Sequence, residues 1–180
     1  MCNEMRSEQN KLFQSIWYKY SRKLAFIKLI FLAACFWGGI FQRHHNPFPP
    51  DPPSYSWFHY FSHNINQAMI SIGFGVISYG IGSLILLVLN GSLIGIVLAV
   101  MVQNDMTLEI FTAFLPHGVF EIPAILLSCL YPYMIWGFIF QSIKKRGIDF
   151  NLLKREIIPV PIIITLLLII AGCMETMFAL

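Results

Sequence analysis

The chain has 180 residues, of which 57% are hydrophobic and only 12% charged, with a net charge of +3. A soluble domain carries about 25% charged residues, and several apolar runs here reach the ~20 residues that cross a bilayer. The composition therefore reads as one polytopic membrane domain, with no room for a separate soluble enzyme.

The cations are concentrated. Arg6, Lys11, Lys19, Arg22, Lys23 and Lys28 lie at the N-terminal side, and Lys144, Lys145, Arg146, Lys154 and Arg155 lie before the last apolar run. Only Arg43 falls elsewhere. Positive charge marks the cytoplasmic side of a membrane protein, and near the surface it meets anionic lipid. Topology thus accounts for the basic residues, and no nucleic-acid partner is expected. Cys2, Cys35, Cys129 and Cys173 form no CxxC pair and read as small hydrophobes.

In chain order, residues 1–23 read as a cytoplasmic basic amphipathic segment and 24–180 as a single integral membrane domain. Leu12, Phe13, Ile16, Trp17 and Tyr20 share one face among lysines, the pattern of a helix lying in the interface. Leu24 to Phe41 is the first span, with Lys28 placed to snorkel. Its Leu32-Ala33-Ala34-Cys35 resembles a lipoprotein box. The same kind of box recurs as Ile170-Ala171-Gly172-Cys173, where it can mean nothing, so the segment reads as an uncleaved anchor.

Residues 42 to 64 form an outer loop held extended by Pro47, Pro49, Pro50, Pro52 and Pro53. His44, His45, His59 and His63 fall there in no known ligand frame, so no metal and no cofactor are expected. Asn64 to Leu89 is the second span. It opens on Asn64, Asn66 and Gln67, which can bond to another helix, and carries Gly73 and Gly75 on a small-residue face.

Asn90-Gly91 reads as a break at the cytoplasmic side. Gly91, Gly95 and Ala99 continue the small-residue face on a short helix, Ser92 to Val102, which either borrows the next residues to finish crossing or is re-entrant. Ile110 to Phe140 is longer than one span needs and is bent by Pro132, with Tyr131, Tyr133 and Trp136 approaching the cytoplasmic interface. Gly147 to Glu156 is a short loop or interfacial helix, and Ile157 to Ala171 is the last span, extending to Phe178 with Glu175 near its outer end. The expected fold is an all-α polytopic membrane helical bundle of about five membrane segments, with one short helix and one Pro/Gly-broken helix. It should sit multi-pass in the cell membrane, N-terminus inside and C-terminus outside.

The most informative stretch is Leu115-Pro116-His117-Gly118-Val119-Phe120-Glu121-Ile122-Pro123-Ala124. Pro116 and Pro123 cannot donate helical hydrogen bonds. His117 and Glu121 are four apart and share a helix face. Such groups are costly in hydrocarbon and are tolerated where they face protein or water. Gly118 allows a neighbour to approach closely.

That stretch, with Asn90-Gly91 and Gly95 upstream and Met174-Glu175 near the end, resembles the stage II sporulation protein M family over roughly residues 60 to 180. The resemblance implies a non-catalytic membrane anchor or scaffold subunit of an engulfment-type complex. Its partners would be the lipid bilayer, other membrane or extracytoplasmic proteins and, compatibly, further copies of the chain. Members also occur in circular bacteriocin operons, so the alternative is a component of a bacteriocin maturation, export or immunity system that uses the broken helix as a transporter would.

Three readings of His117 and Glu121 follow from the residues. The pair could serve as ligands or as a base with its orienting group, with Glu175 as a third member, but no HExxH or GxSxG accompanies it. It could form a mid-depth transport site. It could bond to Asn64, Asn66 or Gln67 and lock a kinked bundle, which fits most functions and is the preferred expectation, with no catalytic residues.

Overall fold

The computed structural model describes residues 2–42 and 56–178, with side chains from Tyr18 to Met177. The described residues are helical almost throughout: α1 (Cys2–Phe41), α2 (Trp57–Ile77), α3 (Ile81–Gln103), the single turn α4 (Thr107–Glu109), α5 (Leu115–Lys144), the single turn α6 (Phe150–Leu152) and α7 (Pro159–Phe178). A π-helical turn, Ile110–Phe114, joins α4 to α5, and another, Leu153–Ile157, joins α6 to α7. Four stretches are long and apolar enough to cross a membrane: Tyr18–Phe41, Ile81–Gln103, Thr107–Lys144 and Phe150–Met177. Beside these, α2 has 21 residues, enough to span, but its first half is polar with His63, Asn64, Asn66 and Gln67.

Side-chain neighbours fix the helix directions. Gly91 lies against Phe31 and Ala34, Gly39 against Gly95 and Ala99, and Gln103 donates to the Gln42 carbonyl at 3.2 Å, so α1 and α3 run parallel. Ala68 packs with Ala124 and Gly75 meets Pro132, so α2 and α5 run parallel too. The tight turn between α2 and α3 makes those two antiparallel. The chain therefore traverses the bundle five times in alternation, and α2 covers the same depth as its apolar neighbours.

Three expectations are corrected by this arrangement. First, the break falls at 78–80 and not at Asn90-Gly91. Tyr79 (φ 56°) and Gly80 (φ 97°) take left-handed backbone there. The Tyr133 hydroxyl and the Ser83 hydroxyl both donate to the Gly80 carbonyl (3.2 and 2.9 Å), Trp136 Nε1 donates to the Val76 carbonyl (2.9 Å), and the Tyr79 and Trp136 rings stack at 4.2 Å. The second span therefore ends at Ile77. The short helix from Ser92 is the later half of the 23-residue α3 and is not re-entrant.

Second, the central stretch is not a broken helix. The helical run continues from Thr107 to Lys144, and the π turn, in which Leu115 N–H bonds back to the Ile110 carbonyl, distorts it without interrupting it just before Pro116, which has no N–H to give. Third, residues 9–23 do not form a short helix of their own. One 40-residue helix runs from Cys2 into the first span. The aromatic face proposed for residues 12–17 lies outside the described side chains, as do Arg43, His44, His45 and the loop prolines.

The core has two parts. Tyr20, Leu24, Ile27 and Phe31 form a stripe on α1 that packs against Leu87 of α3 and Leu126, Leu130 and Met134 of α5. The second part joins Ala68 of α2, Ala124 of α5 and Ile164 and Leu168 of α7. Small residues permit the close approaches: Cβ atoms added at Gly38 and Gly95 would collide with the backbone of Ser92 and Cys35, and one at Gly172 would lie 3.0 Å from the Trp57 carbonyl oxygen. Without hydrocarbon–water contrast between helices, this backbone proximity is a main source of association inside a membrane.

Candidate functional site: a polar chamber in the membrane bundle

The polar residues of three helices meet in one place. Asn64, Gln67 and Ser71 of α2, Asn90 of α3, and Glu121 and Ser128 of α5 line a cavity of ≈ 20 Å³, closed by Ala68, Ala124, Ile125 and Leu168. That space holds about one water molecule or a small ion. On α2 the three polar residues follow a 3-then-4 spacing, which aligns them on one helix face. On α5, Glu121 and Ser128 are seven apart and align likewise. Ser71 and Ser128 are buried, and Glu121, Asn64, Gln67 and Asn90 are partly buried.

Several local bonds set the orientation of these groups. The Ser128 hydroxyl donates to the Ala124 carbonyl at 2.8 Å, leaving its lone pairs for the chamber. Gln67 Nε2 lies 2.9 Å from His63 Nε2 on its own helix, which engages one of its two N–H groups and leaves the amide oxygen as an acceptor. Glu175 of α7 lies within electrostatic range of Glu121. The ion pairs of the described residues, Lys19–Glu156 and Lys145–Asp149, are both at the opposite, basic end of the bundle.

The other expected residues sort as follows. His117 is half-buried, but its Nδ1 lies 2.8 Å from the Ala113 carbonyl oxygen and its ring packs edge-on to Phe114 at 5.5 Å. Nδ1 then carries a proton toward the carbonyl. The ring is thus committed to its own helix, above the chamber. Gly118 is buried, Pro116 and Pro123 are partly so, and Pro123 sits inside α5 one residue before the chamber-lining Ala124. Asn66 is exposed and lines no part of the chamber, because it is one and two residues out of step with Gln67 and Asn64.

Among the glycines, Gly75 meets the Pro132 ring, Gly91 and Gly95 meet α1, and Gly73 has nothing within 4 Å of a Cβ. Gly73 is therefore not a packing residue. Asn90 was expected to mark a turn, and its side chain instead lines the chamber. Among the described residues there is no group of three His, Cys, Asp or Glu able to hold a metal ion.

Sequence reasoning missed a second polar cluster at the basic end. Glu156, in the π turn before α7, is buried, accepting from Lys19 Nζ at 2.9 Å and from the Tyr20 hydroxyl at 3.1 Å. An acidic residue isolated among Lys154, Arg155 and an apolar run was the available signal.

The chamber, of one carboxylate, three carboxamides and two hydroxyls, lies in a bundle of five long helices beside the Pro116–Pro123 stretch, and the sequence that builds this bundle matches a family model. The stage II sporulation protein M model aligns with residues 24–179. The chain belongs to that family. The match begins at the first span, so the likeness is not confined to the region after residue 60. An uncharacterised protein of Methanocaldococcus jannaschii is 27% identical over 106 residues, covering 56% of this chain and 58% of that relative. The chain thus spans less than two thirds of that relative's length. No solved structure matches the chain.

Proposed function

We propose that this member of the stage II sporulation protein M family is a non-catalytic membrane scaffold that holds a partner protein at the face opposite its basic end. The observation that carries the reading is the length of one helical run. Thr107 to Lys144 comprises 38 residues, about 57 Å at ~1.5 Å per residue. Hydrocarbon is ~30 Å thick, and even at a tilt of ~40° the run would cover ~44 Å. If Trp136 and Tyr79 mark the interface of the basic end, about two turns before the end of α5, the ~29 residues from Thr107 to Trp136 cover ~41 Å at the usual tilt of ~20°, and about two turns stand beyond the hydrocarbon at the other face. There Leu108, Phe111 and Leu115 are 70%, 67% and 47% exposed. An apolar stripe raised to the membrane surface fits a docking role.

The commitment of His117 to the Ala113 carbonyl supports the non-catalytic half of the reading, since it takes the imidazole away from Glu121. The basic-residue asymmetry supports a cytoplasmic N-terminus and an extracytoplasmic C-terminus. Neither the fold nor the archaeal relative speaks for the bacteriocin-locus alternative.

The test is photo-crosslinking from Phe111 in cells. A specific extracytoplasmic or membrane partner should be trapped, and Leu108→Arg with Phe111→Arg should abolish its recovery while the protein stays in the membrane. Undiminished recovery from the double variant removes the docking role of this stripe. Hydrolytic activity of the purified chain, lost on Glu121→Gln, removes the non-catalytic reading.

A further inference from the structure

We propose that the polar chamber binds one small monovalent cation of sodium size, held by oxygen atoms of Glu121, Asn64, Gln67, Ser71, Asn90 and Ser128. The donor set carries the inference. These six side chains, drawn from α2, α3 and α5, line the same ≈ 20 Å³ cavity and each carries an oxygen, and hard cations without ligand-field preference take such carboxylate, amide and hydroxyl oxygens. The chamber walls hold no thiol and no imidazole, which disfavours zinc and copper. Two local bonds leave acceptor oxygens in the set: Gln67 gives one of its two N–H groups to His63 (2.9 Å), and Ser128 donates its proton to the Ala124 carbonyl (2.8 Å). Pro132, four residues after Ser128, also offers no N–H to the Ser128 carbonyl.

Charge balance points the same way. Glu121 lies within the bundle among apolar walls, with Glu175 in electrostatic range. The ion pairs of the described residues use no cation near either carboxylate. A carboxylate away from water needs a counter-charge or a proton. A single positive ion in a space of one water's size answers that need, and one formal negative charge in the donor shell matches a monovalent ion better than a divalent one. Joining α2, α3 and α5 through one ion would also couple the α1–α3 pair to the α2–α5–α7 group.

The experiment uses the full chain in lipid nanodiscs, without partner, so its outcome is independent of the docking stripe. Thermal unfolding is followed in sodium, potassium or choline chloride at equal ionic strength. We expect a saturable, sodium-specific rise in Tm of about 3 °C or more, as ligand linkage requires, and about one radioactive sodium ion per chain at equilibrium dialysis. Glu121→Gln should abolish both. Asn90→Ala, which keeps the carboxylate should the first variant fold poorly, should raise the half-saturating sodium concentration at least ~10-fold. Asn66→Ala, outside the chamber, should respond as wild type. Equal Tm in all three salts with no bound sodium would mean that only water fills the space, and the proposal fails. It also fails if calcium saturates the effect at lower concentration than sodium, or if Glu121→Gln and Asn90→Ala both bind as wild type.

Discussion

The α1–α3 seam and the α2–α3–α5 chamber are built by the same membrane logic from opposite materials. In the seam, glycines bring backbones so close that a Cβ has nowhere to go: Gly38 against Ser92, Gly91 against Ala34, Gly95 against Cys35. In the chamber, six polar side chains surround a small space. α3 belongs to both, with Gly91 and Gly95 facing α1 and Asn90 turned to α5. The seam tolerates no change of size and is indifferent to charge. The chamber tolerates some change of size and is governed by polarity.

Substitutions can break this contrast, beginning with the largest effect. Gly95→Leu should abolish folded protein or cost ~3 kcal/mol or more, because its side chain meets the Cys35 carbonyl, which cannot move as a flexible side chain would. Gly73→Leu, facing open space in the same bundle, should leave detergent-solubilised yield and Tm unchanged. Equal damage from the two would mean that glycine content, and not the seam, sets stability.

In the chamber, with choline as the only cation, Glu121→Leu should cost ~1–3 kcal/mol by setting an apolar group against the polar walls of Asn64 and Asn90, whereas Glu121→Gln, which keeps shape and polarity, should cost less than ~1 kcal/mol. Unfolding in nanodiscs checks the order. A Gln variant as damaged as the Leu variant would make charge, not polarity, the governing property.

Smaller effects belong to the basic end. Glu156→Ala should lower stability by about 1 kcal/mol, discounted because Lys19 is 43% exposed. It should also loosen the N-terminal part of α1, which hydrogen exchange at residues 18–24 would register. At Asp149, the hydrogen bond from Lys145 and the Leu152 N–H hold the carboxyl below its ordinary value. A depressed folded value gives stability that is present above the unfolded carboxylate pKa of ~3.9 and lost as pH falls through the folded value. The Tm gap between wild type and Asp149→Ala should therefore be small and flat from about pH 8 to pH 5 and close at lower pH. A gap that widens in acid would contradict that assignment.

Much of this molecule is legible in the sequence because hydrocarbon is an unforgiving solvent. Apolar runs, the clustering of Lys144 to Arg146 and the small-residue face of Gly91, Gly95 and Ala99 all state their places directly. Asn90-Gly91 is not legible locally. A soluble loop would use that pair to turn, but here Gly91 is needed for contact with Phe31 and Ala34, and packing recovers the ~1 kcal/mol that a mid-helix glycine costs. The true turn at Tyr79-Gly80 is held by Tyr133 and Trp136, more than fifty residues away, and no local pattern announces such a contact. Within the chamber, the 64–67–71 spacing on α2 was available to separate Asn66 from its neighbours. The inclusion of Asn90 depended on knowing that α3 is continuous.

The central claim is that Asn90 lies inside the bundle against Glu121, not at a surface turn. Pairs of cysteines in a cysteine-free background test it most directly, using a short bifunctional maleimide in native membranes. The account predicts cross-linking between Asn90→Cys and Glu121→Cys, none between Gly73→Cys and Glu121→Cys, and labelling of Tyr79→Cys, but not Asn90→Cys, by a membrane-impermeant maleimide added to inverted vesicles. Ready labelling of Asn90→Cys from that side, with no cross-link to position 121, would contradict it.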